Sequence, residues 1–319
     1  MKSLDYDVVV VGGGAAGLSA ALVLGRARRR VVVVDAGSPR NAPAAHMQGF
    51  LSRDGMPPGE FVAAGLAEVS GYGVELIEDR VVAIEAGFVV RIAGGQALKA
   101  RRILVATGAR DALPEIPGVR ERWGRDLLHC PYCHGWEVRD QPLGVLGTTP
   151  DSVQHALLVR QWSGDVVFFA HTLELSSGDL EHLHARGVQV VHGLVARLVV
   201  EADRLTAVEL IDGRLIPRTA VFIRPVNQPH ADGLLMGLGC DVDEAGFVIV
   251  DAAGRTSTIG IWAAGNVADP RLQVISSAGA GSAAAIAVNA DLVRDDVERA
   301  VERHIDADGS TSPAEARLK

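Results

Sequence analysis

The sequence predicts an α/β fold of two Rossmann-like three-layer domains. Two observations carry this expectation. Short runs rich in β-branched residues, such as 8–11 and 31–34, are the length and composition of buried parallel strands. Twice along the chain such a run passes straight into a glycine-bearing turn, then a helix, then another strand.

The first of these units is complete. Residues 7–11 read as a strand, and Gly12-Gly13-Gly14-Ala15-Ala16-Gly17 follows at once. A helix over 18–24 comes next, then a strand over 31–34 that ends in Asp35 and Ala36. In such a unit Gly12 allows the turn, Gly14 lets a pyrophosphate approach the backbone, and Gly17 lets the helix pack close. The phosphates sit at the helix N-terminus, and an acid at Asp35 can hold a ribose hydroxyl. The irregular stretch that follows, with Arg40, Asn41 and His46, either closes over a nucleotide or simply connects. Residues 57–71 predict an amphipathic helix and 74–99 a small meander. Residues 102–108 predict a buried strand ending in Ala106-Thr107-Gly108, small enough to pass close under a dinucleotide.

A proline-rich crossover, 112–118, marks a domain boundary. Beyond it, residues 142–147 and 165–169 predict strands around a helix over 152–161. Here the turn is Gly147-Thr148-Thr149-Pro150-Asp151-Ser152, and only its first glycine survives. Thr149 carries a Cβ where close phosphate approach wants none. Ala170 replaces the ribose-binding acid, and His171-Thr172-Leu173-Glu174 offers no arginine for a 2′-phosphate. Short strands over 187–222, with a turn at Asp212-Gly213, finish this part, and 224–230 crosses back. Residues 246–251 and 259–266 predict two more strands, the second ending in Ala263-Ala264-Gly265-Asn266. A helix over 276–290 follows, and the polar stretch 306–319 predicts a disordered tail.

Between the two units lies Cys130-Pro131-Tyr132-Cys133-His134. Thiols two residues apart can close a disulfide and exchange an electron pair as a unit; the alternative is half of a zinc site. The only other cysteine is Cys240, so no metal site is expected. Cys133 is expected to begin a helix, whose N-terminus favours a thiolate, and His134 supplies an adjacent base. The net charge of −8 argues against a nucleic-acid partner. No apolar run is long enough to span a bilayer, and residues 1–7 do not resemble a secretion signal, so a cytoplasmic location is expected.

In the order of these motifs the chain resembles the thioredoxin-reductase-like branch of the FAD-dependent disulfide oxidoreductases. The resemblance covers residues 5–300 and implies FAD as cofactor and a homodimer. It implies a discontinuous FAD-binding domain, 1–112 and 230–319, with a nicotinamide-binding-like domain, 113–229, inserted and carrying the cysteine pair. The FAD site it implies comprises Gly12, Gly14, Ala15, Ala16, Gly17, Asp35, Ala36, Arg40, Asn41, His46, Ala106, Thr107, Gly108, Gly265, Asn266, Gln273 and Val274. Asn266 stands where the family usually has an aspartate on the ribityl chain. Two departures, His134 in place of an aspartate and the degraded second glycine turn, look like the dithiol oxidases of gliotoxin, holomycin and romidepsin biosynthesis. The implied reaction is oxidation of a small-molecule dithiol, with Cys130 exchanging, Cys133 facing the flavin and His134 as base. Electrons would pass to FAD and then oxygen, and NADP(H) is not expected to bind well. The rivals are an NAD(P)H-dependent disulfide reductase and a flavin-binding redox sensor.

Overall fold

The structure, a computed structural model, describes residues 4–230 and 232–309. Compactness divides the chain into two units: Met1–Gly37, Gly65–Thr107 and Ala231–Lys319 in one, Ser38–Ala64 and Gly108–His230 in the other. The expected boundaries are 112/113 and 229/230, whereas the compact units change at 107/108 and 230/231. Residues 38–64, however, group with the second unit, where the Arg40 guanidinium is bound to Asp111 and Gly124 lies against Pro43.

The first unit is built on β1 (Leu4–Val11), α1 (Ala15–Arg26), β2 (Val31–Asp35), the part of α2 (Pro58–Ser70) from Gly65 onward, β3 (Glu75–Glu78), β4 (Val81–Glu85), β5 (Val89–Ile92) and β6 (Ala97–Val105). Its parallel strands run in the order β3-β2-β1-β6, and Ile261–Ala263 adds to the far side of β6. β5 and β4 extend β6 as an antiparallel meander. The expected meander over 74–99 is therefore smaller than predicted, because β3 pairs with β2 in the parallel sheet. Register is pinned by fully buried valines: Val11 is level with Val34 and with Val105, and Val105 with Ala263. Four strand ends thus open at one edge, the place where such sheets receive a ligand.

Two expectations are corrected here. Residues 246–251 form no strand; Val248 makes a single bridge to Val242. The last helix is not confined to 276–290 but runs over Val274–Gly309. Residues 306–309, expected in a disordered tail, are its last turn, and 310–319 lie outside the described residues. Ala284, Ala285, Val288 and Leu292 bury its first half, where Gly281 comes so close to α1 that a Cβ there would sit 2.0 Å from the Ala16 carbonyl oxygen. Its second half is held by charge. Arg102 binds Asp291 at 2.5 Å, Arg101 binds Asp295 at 2.7 Å and Asp296 at 2.5 Å, and Arg29 binds Asp296 at 2.7 Å.

The second unit has an all-parallel sheet in the order Gln189–Val191, Val166–Phe169, Leu143–Leu146, Ala220–Ile223, Leu127–Leu128. Phe168, Phe169 and Phe222 fill its two faces. A three-stranded antiparallel sheet over Val195–Glu201, Arg204–Leu210 and Leu215–Pro217 covers one side. The crossover at Ala109–Ala112 and Val226–Pro229 pairs as a two-stranded ribbon.

Candidate functional site

In the first unit the glycines of the complete motif divide by what surrounds them. A Cβ on Gly12 would meet the Ala106 carbonyl oxygen at 2.4 Å, and one on Gly17 the Gly12 oxygen at 1.8 Å. Both are demanded by the fold, and Gly12 also has φ +105°. Gly14 is different. It is the N-cap of α1 with φ −77° and ψ −169°, open to any residue, and a Cβ there would meet nothing within 4 Å. The protein itself gives no reason for glycine at this position, whereas a phosphate at the helix N-terminus does.

Asp35 lies beside this turn. One carboxylate oxygen accepts from Gly13 N–H at 2.8 Å and the other from Gly37 N–H at 3.1 Å. A carboxylate has about four acceptor sites, so capacity remains for ribose hydroxyls. Ala36 follows it, exposed, and Ala15 begins α1 half-buried. Ala106 is buried and hydrogen-bonded to the Val11 carbonyl, with Thr107 half-exposed after it. Gly265, at φ +79°, packs on Ala16, which is buried by that contact and by the last helix. Ala16 therefore shapes the cradle from behind. Asn266 donates its side-chain amide to the Asp269 and Leu272 carbonyls, leaving its oxygen to accept. Gln273 caps the last helix through its carbonyl to Ser277 N–H, and Val274 begins that helix. These residues fit a dinucleotide cofactor such as FAD. Arg40, Asn41, His46 and Gly108 are grouped with the second unit. There Arg40 forms a two-point ion pair with Asp111, the Asn41 carbonyl accepts from Ala44 N–H, and His46 Nδ1 meets the Gly55 oxygen at 3.0 Å.

The cysteine pair is closed as a disulfide between Cys130 and Cys133, with the Cα atoms 5.2 Å apart. The helical turn is Pro131–His134. Cys133 was expected to begin it; instead Cys130 is the N-cap, because Pro131 with its fixed φ suits the first helical position. Cys130 Sγ accepts from Cys133 N–H at 3.2 Å. His134 is half-buried, and desolvation holds its imidazole below the usual histidine range, opposed by Glu137. It is neutral at pH 7 and able to accept a proton.

Two further histidines support this segment. His155 is 4% exposed, stacked edge-on against His129 at 6.1 Å and against Phe222 at 6.1 Å. Burial pushes both His129 and His155 down to about 4. His155 thus packs against His129, the residue that precedes Cys130, and its Nδ1 is buried without a hydrogen-bond partner among the described residues. Periodicity on the helix Ser152–Val159 places His155 inside, but nothing in the sequence says which rings it packs against.

The second glycine turn keeps Gly147 for the fold, since a Cβ there would lie 2.8 Å from the Phe169 and Ala170 carbonyl oxygens. The N–H groups of Thr148 and Thr149 both donate to Ser152 Oγ at 3.2 Å, and Ser152 is fully buried. Ala170 is buried, and His171 Nδ1 accepts from Val195 N–H. Among the described residues there is no cluster able to hold a metal, and no helix is long and apolar enough to cross a membrane.

Residues 6–282 match the pyridine nucleotide-disulphide oxidoreductase family. The chain is 30% identical over 306 residues to thioredoxin reductase sirT of Leptosphaeria maculans, covering 89% of this chain and 93% of that one. It is 35% identical over 191 residues to a probable thioredoxin reductase of Arthroderma benhamiae, covering 57% of this chain and 47% of that protein, so it spans about half the length of that relative. Among solved structures, the crystal structure of HlmI shares 59% identity at a TM-score of 0.93, covering 95% of this chain and 97% of that one. An oxidoreductase from Agrobacterium tumefaciens shares 36% identity at a TM-score of 0.86, covering 91% and 99%. The chain belongs to the pyridine nucleotide-disulphide oxidoreductase family, and within it is a flavin-dependent thiol/disulfide oxidoreductase.

Proposed function

We propose that this protein is an FAD-dependent dithiol oxidase. A small-molecule dithiol and oxygen give the cyclic or bridged disulfide and hydrogen peroxide, so two thiol protons and two electrons leave the substrate. A substrate thiolate attacks the Cys130–Cys133 disulfide at Cys130 and releases the Cys133 thiolate. The second substrate thiol then displaces Cys130, which leaves the enzyme dithiol and the substrate disulfide. His134, neutral because it is desolvated, takes up a thiol proton in this exchange. Gly14 and the N-terminus of α1 would hold the FAD phosphates and Asp35 its ribose, with Gly12 shaping the turn. FAD supplies a two-electron acceptor that oxygen can regenerate.

The observation that carries the oxidase direction is the buried Ser152 hydroxyl. It already occupies the Thr148 and Thr149 N–H groups that a glycine turn would offer to a nicotinamide nucleotide. With the acid and arginine also missing, several ionic or charge-assisted contacts are lost. Each is worth about 1.5–3 kcal/mol, or about ten- to a hundredfold in affinity. The reductase reading is favoured by the relatives called thioredoxin reductases. Anaerobic stopped-flow absorbance separates the two: a dithiol should bleach the flavin readily and NADPH slowly or not at all. Millisecond bleaching by micromolar NADPH would install the reductase reading instead.

A further inference from the structure

Large aromatic side chains are costly to leave in water, so their place on the surface carries information. Among the described residues the exposed ones are Tyr72, Tyr132 and Trp136, and the last two, each 65% exposed, flank Cys133. Tyr132 lies on the helical turn Pro131–His134 that carries the disulfide, and Trp136 follows directly after its C-cap, Gly135. Neither ring is loose. The Arg139 guanidinium lies over the Trp136 indole at 3.9 Å and also donates to the Trp136 carbonyl oxygen at 2.6 Å. Tyr132 stands edge-on against Trp162 at 5.5 Å, and Trp162 in turn packs on Gly135, where a Cβ would meet it at 2.8 Å.

We propose that Trp136, with Tyr132, is a stacking platform that makes planar, conjugated dithiols the preferred substrates of the Cys130–Cys133 pair; this rests on the dithiol-oxidase reading. Arg139 covers one face of the indole, and the exposure of Trp136 leaves area for a flat ring to stack offset on the other. Because the indole is already held, the substrate gains the stacking contact without the cost of ordering the side chain. A flexible aliphatic dithiol has no ring to offer and gains none of it. The chemistry is unchanged: the planar dithiol is oxidised to its cyclic disulfide, and the Cys130–Cys133 disulfide is reduced to two thiols.

The test uses the oxidised, flavin-loaded protein and two probe pairs. Naphthalene-1,8-dithiol and its planar cyclic disulfide represent the conjugated class; dithiothreitol and its six-membered disulfide represent the aliphatic one. In equilibrium dialysis, Trp136→Ala should weaken the planar disulfide about tenfold, while Trp136→Phe should retain most of the affinity. In air, the ratio of kcat/KM for the naphthalene dithiol to that for dithiothreitol should fall about tenfold in Trp136→Ala and be largely rescued in Trp136→Phe. Unchanged affinity for the planar disulfide, or an equal loss for both disulfides, overturns the platform. If the unaltered protein consumes neither dithiol, the oxidase reading fails, and the dialysis result still decides whether Trp136 selects planar sulfur compounds.

Discussion

Gly14→Ala is the substitution whose outcome the structure constrains most tightly. The new methyl group meets no protein atom within 4 Å, and φ −77° with ψ −169° is ordinary extended backbone. Folding of the apoprotein should be nearly unchanged, because the gain of about 0.4–1 kcal/mol from a stiffer unfolded chain is offset by alanine's poorer fit at the N-cap. On the proposed reading, the same methyl group would stand where the FAD pyrophosphate approaches the N-terminus of α1. Losing one charge-assisted hydrogen bond there costs about 1.5–3 kcal/mol, a ten- to hundredfold weaker FAD Kd. Gly17→Ala reverses the pattern, because its Cβ would lie 1.8 Å from the Gly12 oxygen. That variant should be destabilised with or without flavin. The assay is thermal unfolding of the two apoproteins beside FAD titration by flavin fluorescence. A Gly14→Ala protein that binds FAD like the unaltered chain would refute the assignment of this turn to the pyrophosphate.

Three other outcomes are expected. Cys130→Ser and Cys133→Ser should each reduce dithiol turnover to background while the purified protein stays yellow, read by oxygen uptake and absorbance. His134→Ala should lose about 10²-fold or more in kcat at neutral pH and recover part of it as pH approaches the free thiol pKa of about 8.5. In the unaltered enzyme the acid limb set by His134 should fall below the usual histidine range, because burial lowers its pKa. His155 predicts acid lability. Its pKa falls from 6.5 to about 4 on folding, so the unfolded chain binds the extra proton and stability is lost as pH drops through that window. The loss is at most about 3 kcal/mol for this group. His155→Phe should flatten the dependence in denaturant titrations between pH 7 and 4, whereas a curve as steep as that of the unaltered protein would count against the burial argument.

Much of the fold was legible because valine-rich strands and glycine turns are local signals. Val8–Val11 and Val31–Val34 read as strands for the same reason that they pair: fully buried β-branched residues at matched register. The end of the last helix was not legible. After residue 290 Val293, Val297, Val301 and Ile305 still recur at helical spacing but are exposed, and what holds this half is Asp291, Asp295 and Asp296 on Arg102, Arg101 and Arg29, which are distant in sequence. Residues 246–251 carry the continuous apolar, β-branched run of a strand but find only one bridge. At the site, the glycine pattern named Gly12, Gly14 and Gly17 together, yet only their surroundings show that two serve the fold and one is free for a ligand. The role of Ser152 depends on which backbone N–H groups it meets and that of His155 on which rings it packs against, and spacing does not encode that.

The parallel sheet of the first unit has a consequence for the order in which the protein can be made. Its last strand, Ile261–Ala263, joins β6 at residues 103–105 only after the whole intervening segment has been synthesised. Most of the second unit, Gly108–His230, is continuous and leaves the ribosome before that strand exists. Through that interval the edge of β6 at Ile103–Val105 lacks its partner and exposes backbone that another chain could pair with. Gly265 and the last helix, which close the cradle against Ala16, also emerge late. The first unit should therefore be the slower to fold and the more exposed to aggregation during synthesis. Flavin supply at the end of translation, rather than at its start, should govern how much chain is recovered in the folded state.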